Sequence, residues 1–282
     1  MKCSKLLLLV MVVSVSLLFT GPAFAKKKVR LAYVEWACAT ASTHVAKTVI
    51  EEKLGYECEV IPVSAAAMYQ ALSIGNVDAM TTAWLPTTHK DYLAKIKDKV
   101  TDLGPNLEGA KLGLIVPDYV TIDSIDQLNA NEKKFKGKII GIDPGAGLMS
   151  MAEKSLEVYK MKDMELMEGS GAMMTAVLGN AIKKNEWVVV TGWAPHWKFG
   201  RWNLKFLKDP KNVFGGAETI NTIVRKGLDK DMADVYKFLD NFSWTTAEIG
   251  QVMVWIQDGM SPVDAAKKWI KENPAKVAAW LK

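Results

Sequence analysis

Short apolar runs alternate with longer stretches of helical period along most of the chain. In the first part of the chain each helical pattern ends at a glycine, which terminates a helix readily because it has no side chain. The strand-like and helical segments are, in order, 29–34, 40–54 ending at Gly55, 57–63, and 65–74 ending at Gly75. This alternation predicts βαβ units, with a parallel sheet covered by helices on both faces.

The same order of elements recurs further along the chain. After a strand at 111–116, interrupted by Pro117, it runs as strand 138–142, helix 148–160, strand 164–167, helix 171–180 and a strand ending at Gly192. Residues 34 to 83 span 49 positions and residues 142 to 192 span 50, between the ends of corresponding strands. A strand at 219–224 and a run of helices complete the chain. The near-equal intervals predict two units of shared topology.

The length of the chain also suits two lobes better than a single core. We predict an α/β fold with lobe I formed by 26–116 and 217–282 and lobe II by 117–216. Each lobe would be a mostly parallel sheet flanked by helices, and the crossings near Val116 and Gly216 would form a hinge. Closure of two hinged lobes on a ligand in the cleft is the behaviour of periplasmic binding proteins, here of type II-like form.

Two of the apolar runs end in the same way, with a tryptophan two residues before a proline. Trp84 precedes Pro86 and Trp193 precedes Pro195. Proline has no N–H to donate and stops a strand, so each indole is presented at the carboxyl end of its strand, where open α/β sheets bind ligands. The pair indicates a cleft walled by aromatic faces, which suits a cation without hydrogen-bond donors. The alternative is that both indoles are core residues that cap their strands.

The first 25 residues have the pattern of a secretory signal peptide. Lys2 and Lys5 supply the positive segment, residues 6–19 the apolar core, and residues 23–25 a small-x-small cleavage site. The alternative is a transmembrane anchor, which needs about 20 apolar residues, and the apolar run at 6–19 is shorter than that. Removal of Lys2 and Lys5 from the 36 basic residues leaves 34 against 31 acidic ones, a net charge of +3. Because of the signal-peptide pattern, the mature chain is expected to be exported, most simply to a periplasm.

Several classes of function are disfavoured. The interspersed charges do not predict a nucleic-acid partner. The Gly-x-Gly sequence at 145–147 is not a dinucleotide-binding motif, because Ser150 occupies the position of its third glycine. The sequence also contains neither a P-loop nor a nucleophile elbow. The three histidines have no metal-ligand spacing, so neither metal nor cofactor is expected. Cys38 and Cys58 fall at opposite edges of the predicted sheet, which favours separate thiols over a disulfide.

Four motifs in one order resemble the glycine betaine-binding proteins of osmoprotectant ABC importers. They are Tyr-Val-Glu-Trp at 33–36, Ala-Trp-Leu-Pro-Thr-Thr-His at 83–89, Gly-Ile-Asp-Pro-Gly-Ala-Gly-Leu-Met at 141–149 and Thr-Gly-Trp-Ala-Pro-His-Trp at 191–197. The resemblance extends to 213–218 and 242–245. It implies a monomeric, non-enzymatic protein that captures a quaternary amine and delivers it to a membrane permease with its ATPase.

The resemblance also implies a set of ligand-binding residues. A cage for the quaternary ammonium would fall on Trp36, Trp84 and Trp193, and the carboxylate would be held by His89 and the amides of Gly147 and Leu148. Indole faces attract such a cation by about 0.5–2 kcal/mol each, and free N–H groups at the start of a helix bind anions. His89 could instead be an exposed residue at a helix start. Six further tryptophans are expected to pack in the interior: Trp197, Trp202, Trp244, Trp255, Trp269 and Trp280.

The exact ligand stays open on sequence grounds. Glycine betaine, proline betaine, carnitine and choline all carry a quaternary nitrogen, and residue identities do not fix the cavity volume. A secreted hydrolase or transferase is the alternative from another class, and it would need a site built from scattered residues that no motif reveals.

Overall fold

The computed structural model describes residues 28–282, so the predicted signal peptide lies outside the described residues. The first elements are β1 (Lys28–Tyr33), α1 (Ala37–Glu52), β2 (Glu57–Pro62), α2 (Ala65–Ser73), β3 (Ala79–Leu85), α3 (Lys90–Ala94) and β4 (Val100–Pro117). The middle elements are β5 (Lys138–Ile140), α4 (Gly147–Val158), β6 (Glu165–Met167), α5 (Gly171–Lys183), β7 (Val189–Ala194), α6 (Lys198–Arg201) and β8 (Leu204–Phe206), preceded by 3-10 turns at Ile125–Gln127 and Asn129–Phe135. The last are β9 (Glu218–Arg225), α7 (Leu228–Asp231), α8 (Ala233–Asn241), α9 (Thr246–Gln257), α10 (Pro262–Glu272) and α11 (Pro274–Trp280).

The strands lie in the order β2-β1-β3-β9-β4-β7-β5-β6, with β8 paired to β4. In the first lobe β1 is parallel to β2 and β3, and β9 runs antiparallel between β3 and β4. In the second lobe β5 is parallel to β6 and β7, while β4 is antiparallel to β7. Each lobe is thus a mostly parallel sheet with one reversed strand, and the carboxyl ends of its parallel strands share an edge.

Strand β4 belongs to both lobes. Its residues from Val100 to Ala110 pair with β9, and those from Lys111 to Ile115 pair with β7. The prediction of a strand confined to 111–116 was wrong at its start, because Gly104 and Gly109 make the preceding residues resemble a loop. Both glycines have positive φ, and the register against β9 shifts along this part of the strand. The lobe boundaries drawn from sequence at 116 and 216 stay a prediction.

Helix α1 begins at Ala37, three residues earlier than the pattern indicated, so Trp36 is its N-cap residue. Strand β7 runs to Ala194, two residues beyond the end at Gly192 that the pattern indicated. Helices α2, α5, α9 and α10 are capped by a serine or threonine side chain. By contrast α1 and α4, which start at the cleft, carry Trp36 and Ala146 there without a side-chain cap.

The C-terminal helices return to the first lobe, where α9 and α10 pack against α1. An aromatic cluster holds them together: Phe238, Phe242, Trp244, Trp269 and Trp280, with the last two stacked at 5.3 Å between ring centroids. Cys38 and Cys58 are buried free thiols, as the topology indicated. Within 28–282 no helix has the length and apolar character needed to cross a membrane.

Replacing Trp244 with alanine tests the aromatic cluster. Trp244 is buried, with its ring 5.5 Å from Phe242 and 5.9 Å from Trp269. Its removal should lower the free energy of unfolding by about 3–5 kcal/mol, as for other buried aromatic residues. Trp255 on α9 is only half-buried, so Trp255→Ala is the matched control and should cost about 1 kcal/mol. Urea unfolding measures both, and equal losses would contradict the assignment.

Candidate functional site

Six residues singled out from the sequence line one cavity between the lobes. Trp36, Trp84 and His89 come from the first lobe, and Gly147, Leu148 and Trp193 from the second. They are brought together because the segments that follow β1, β3 and β5, and the carboxyl end of β7 itself, all face the cleft. The wall also contains residues that the sequence did not single out: Cys38, Thr88, Leu112, Ile142 and Ala146.

The aromatic side chains that line the cavity are buried. The three indoles are 7%, 3% and 4% exposed for Trp36, Trp84 and Trp193, and His89 is 1% exposed. No carboxylate is among the described residues that line it. The rings of Trp36, Tyr69 and Tyr92 surround the imidazole of His89, with centroids 5.6–6.1 Å away. A cation in this cavity would therefore meet aromatic faces and no formal counter-charge.

Trp84 and His89 are fastened to each other through the backbone. The N–H of Trp84 donates to Nδ1 of His89 at 3.1 Å, and the N–H of His89 donates to the Trp84 carbonyl at 2.9 Å. The intervening bond between Leu85 and Pro86 is cis, as is the one between Ala194 and Pro195 after Trp193. Because Nδ1 accepts, the neutral ring carries its proton on Nε2.

The Nε2 atom of His89 is the notable polar group of the cavity. It is buried and has no hydrogen-bond partner among the described residues. Burial lowers the pKa of His89 to about 3, so the ring is neutral at physiological pH. The site therefore holds an unused N–H donor, with the tautomer set by the protein, on a ring that carries no charge. A buried donor of this kind costs stability until it finds an acceptor.

The loop that carries His89 is anchored by Glu218, a residue the sequence analysis did not single out. Glu218 is buried on β9, and its Oε1 accepts from the N–H groups of Thr87 and Thr88 at 2.8 and 2.7 Å. Its Oε2 accepts from the Thr88 hydroxyl at 2.7 Å. The carboxylate thus fixes the path between Trp84 and His89. Its only sequence signal was its place in the segment 213–218 shared with the resembled family.

The start of α4 is pressed against the first lobe. The indole N–H of Trp36 donates to Oδ2 of Asp143 at 3.0 Å, and the Tyr92 hydroxyl donates to the Gly145 carbonyl at 2.6 Å. A Cβ on Gly147 would collide with the carbonyl oxygen of Thr88, so only glycine allows this approach. The first N–H groups of α4, those of Gly147 and Leu148, have no intrahelical acceptor, and both residues line the cavity.

Trp193 has an unusual partner. The ammonium of Lys198 lies 4.3 Å from the centre of its ring, and Lys198 is fully buried. Burial lowers the pKa of Lys198 to about 7. Burial also raises the pKa of Cys38, whose sulfur lies near the indole N–H of Trp193, to about 11. Neither residue was assigned a role from the sequence.

The arrangement is suited to a small zwitterion. Three indole faces can hold a cation that makes no hydrogen bonds, and an imidazole N–H with two helix-start amides can hold an anion beside it. Metal binding has no support, because no group of three potential ligands is clustered within 28–282.

Comparison with known proteins gives consistent matches. The family model described as the substrate binding domain of ABC-type glycine betaine transport systems matches residues 27–272. A glycine betaine/carnitine transport binding protein, GbuC, of Listeria monocytogenes serotype 1/2a (strain 10403S) is 51% identical over 144 residues. That match covers 50% of this chain and 48% of the Listeria protein, so the aligned part is about half of each.

Solved structures match over nearly the whole described chain. Lactococcal OpuAC, closed and complexed with glycine betaine, is 44% identical with a TM-score of 0.86, covering 91% of this chain and 100% of that one. A glycine betaine/L-proline-binding protein from Borrelia burgdorferi is 40% identical with a TM-score of 0.87, over 91% and 97%. A choline-binding protein complexed with choline is 30% identical with a TM-score of 0.84, over 90% and 91%. The fold is that of two-lobed periplasmic binding proteins, as predicted.

The protonation state of His89 is directly testable. Because burial lowers its pKa to about 3, we expect the imidazole to stay neutral and protonated on Nε2 down to about pH 4.5. The unfolded chain takes up this proton near pH 6.5, so the stability contributed by neutral His89 is full above that pH and falls as the pH drops towards 3. Nitrogen NMR of the imidazoles measures this, with His89→Gln to assign the signal. Titration near pH 6.5 would contradict it.

Proposed function

The chain belongs to the family of substrate-binding domains of ABC-type glycine betaine transport systems, and we propose that it captures glycine betaine between Trp36, Trp84 and Trp193. Members of this family bind a substrate for transport and are not enzymes, in agreement with the expectation from sequence. The observation that carries the proposal is the buried, unpartnered Nε2–H of a neutral His89 in the same cavity as the three indoles.

The cage accounts for the cationic end. A trimethylammonium group offers no donor, so carboxylates or carbonyls in the wall would gain little from it beyond charge attraction. Three indole faces at about 0.5–2 kcal/mol each would supply a large share of the roughly 8 kcal/mol that corresponds to micromolar binding. The lack of a lining carboxylate among the described residues supports an aromatic mode of recognition.

The other end of the ligand would meet His89, Gly147 and Leu148. The carboxylate of glycine betaine lies a few bonds from the nitrogen, so its donors must adjoin the cage. His89 contacts the Trp36 ring at 5.9 Å between centroids, and it shares the cavity wall with the two helix-start amides. A carboxylate accepting from Nε2–H would remove the penalty of leaving that donor unpaired.

The groups proposed to bind ligand come from both lobes, so ligand would favour the closed form by differential affinity. Ties across the cleft support such closure. On one side Trp36 donates a hydrogen bond to Asp143, and Tyr92 donates one to the Gly145 carbonyl. On the other side Arg201 on α6 forms an ion pair with Asp258 at the end of α9. The loaded, closed protein would then dock on the permease of an ABC importer.

Proteins of this kind act outside the cytoplasm. Export of this chain through a cleavable signal peptide, its place in a periplasm and its monomeric state are parts of the same proposal. Calorimetric titration of the mature protein against glycine betaine, proline betaine, carnitine and choline is the test. Failure to bind any of the four would overturn the proposal.

Choline is the second candidate, because a solved structure at 30% identity is a choline complex. Choline would occupy the cage but leave the carboxylate donors unpaired. The orphan Nε2–H therefore favours a ligand with an acceptor at that end, and glycine betaine is the better fit.

Alanine variants of Trp84 and Trp193 test the cage. Each should bind glycine betaine at least about tenfold more weakly, from roughly 1.4 kcal/mol lost with one face. Trp255→Ala, on a half-buried ring outside the cavity, is the matched control and should bind as the wild type does. Titration calorimetry gives the affinities, and circular dichroism checks that each variant is folded. Folded Trp84 and Trp193 variants with wild-type affinity would refute the cage.

Selectivity against choline tests the anion side. Without a carboxylate, choline leaves charge-assisted hydrogen bonds of roughly 1.5–3 kcal/mol each unmade, so we expect it to bind at least about a hundredfold more weakly than glycine betaine. His89→Ala should narrow this gap, because only the carboxylate uses that donor. Trp193→Ala should weaken both ligands more evenly, since both share the cationic group. Unchanged selectivity in His89→Ala would show that His89 does not bind the carboxylate.

A further inference from the structure

Lys198 is a buried lysine whose Nζ has no hydrogen-bond partner within residues 28–282. It is the first residue of α6, and its backbone is held by bonds from its N–H to Nδ1 of His196 at 3.1 Å and from the Trp202 N–H to its carbonyl. Its side chain has no exposed surface, and among the described residues nothing accepts a hydrogen bond from Nζ. A buried lysine is ordinarily paired with a carboxylate, so this one calls for an explanation.

In the described part of the chain, the favourable contacts of the ammonium are with aromatic rings. Nζ lies 4.3 Å from the centre of the Trp193 ring and 5.4 Å from that of Phe199. Trp193 lines the ligand cavity and Lys198 is not among the described lining residues, so the ammonium adjoins the cavity through the ring of Trp193. The same ring that is proposed to attract the quaternary ammonium is thus already in contact with a second cation.

The titratable groups that face Lys198 supply no counter-charge near neutral pH. They are the thiol of Cys38 on α1 and the imidazole of His196 in the loop before α6. Burial raises the pKa of Cys38 to about 11 and lowers that of His196 well below its usual value, so both are neutral. Burial lowers the pKa of Lys198 to about 7, so at neutral pH its charged and neutral forms have similar free energies.

We propose that Lys198 is a specificity-determining residue that sets the charge behind the cage, so that a quaternary ammonium binds when Lys198 is neutral. This rests on the proposed function. In its charged form Lys198 would compete for the negative face potential of Trp193 and repel the ligand's cation in a medium of low dielectric constant. Binding to the charged form is then accompanied by loss of one proton from Nζ to the solvent. A ligand that brings its own carboxylate offsets part of the repulsion, whereas a net cation does not.

The effect has a defined size. One pH unit below its pKa about a tenth of Lys198 is neutral, and apparent affinity scales with that fraction. Glycine betaine should therefore bind about tenfold more tightly at roughly pH 8.5 than at roughly pH 6. Binding should release about one proton per ligand at the lower pH and close to none at the higher. His89, with a pKa of about 3, and Cys38, at about 11, do not titrate in this window.

Titration calorimetry in buffers of different ionisation enthalpy measures both quantities on the wild-type protein. Lys198→Met should abolish the proton release and bind glycine betaine at roughly pH 6 as tightly as the wild type does at roughly pH 8.5. Lys134→Met is the matched control, because Lys134 lies 4.3 Å from the Trp187 ring but is exposed, and it should behave as the wild type. Choline should show a proton release at least as large as that of glycine betaine.

Proton release and affinity of the wild-type protein test the proposal even if Lys198→Met does not fold. Ligand binding without proton release and with the same affinity at both pH values would overturn the role of Lys198. The same conclusion follows if Lys198→Met keeps the wild-type pH dependence, or if choline releases fewer protons than glycine betaine. Absence of any binding by either ligand at both pH values would instead contradict the proposed function.

Discussion

Burial of the side chains that line and adjoin the cleft is the constraint on which the other properties of the site depend. Inside walls that are almost fully buried, a charged side chain loses its hydration, so each ionisable group shifts towards its neutral form. His89 has a pKa of about 3, Cys38 of about 11 and Lys198 of about 7. The protein would therefore meet the proposed ionic ligand with neutral groups: ring faces, an imidazole N–H and helix-start amides. Recognition of both charges then needs no buried counter-ion of the protein's own.

The sheet explains how such neutral groups are placed accurately. Strand β4 crosses from one lobe to the other beside β9, and Glu218 opens β9 opposite Ala110, where β4 changes partner. From there its carboxylate reaches the N–H groups of Thr87 and Thr88. The buried Glu218 side chain thus connects the loop that carries His89 to the point where β4 crosses between the lobes. Positioning of the donor is linked to the same element that would bend on closure.

Much of this could be predicted from the sequence, and the remainder could not for physical reasons. The alternating pattern gave the parallel sheets, and the repeated Trp-x-Pro identified Trp84 and Trp193, because both features depend on neighbouring residues. The first part of β4 was missed because Gly104 and Gly109 are turn residues that here form bulges within a strand. The hydrogen bonds of Trp36 to Asp143 and of Thr87 to Glu218 join residues more than a hundred positions apart, which no local pattern reveals.

The neutrality of the site also clarifies what kind of ligand suits it. A zwitterion has no net charge. When groups of the protein contact both of its charged ends, its transfer from water into the cleft costs less free energy than transfer of a simple cation. A carboxylate in the cage wall would attract the ammonium, but it would repel the ligand's own carboxylate a few bonds away. Aromatic faces avoid this conflict, because their quadrupole attracts a cation without carrying a net charge. The role proposed for Lys198 follows from the same argument, since a fixed positive charge beside Trp193 would repel the ligand's ammonium and would not be balanced by any charge in the cage.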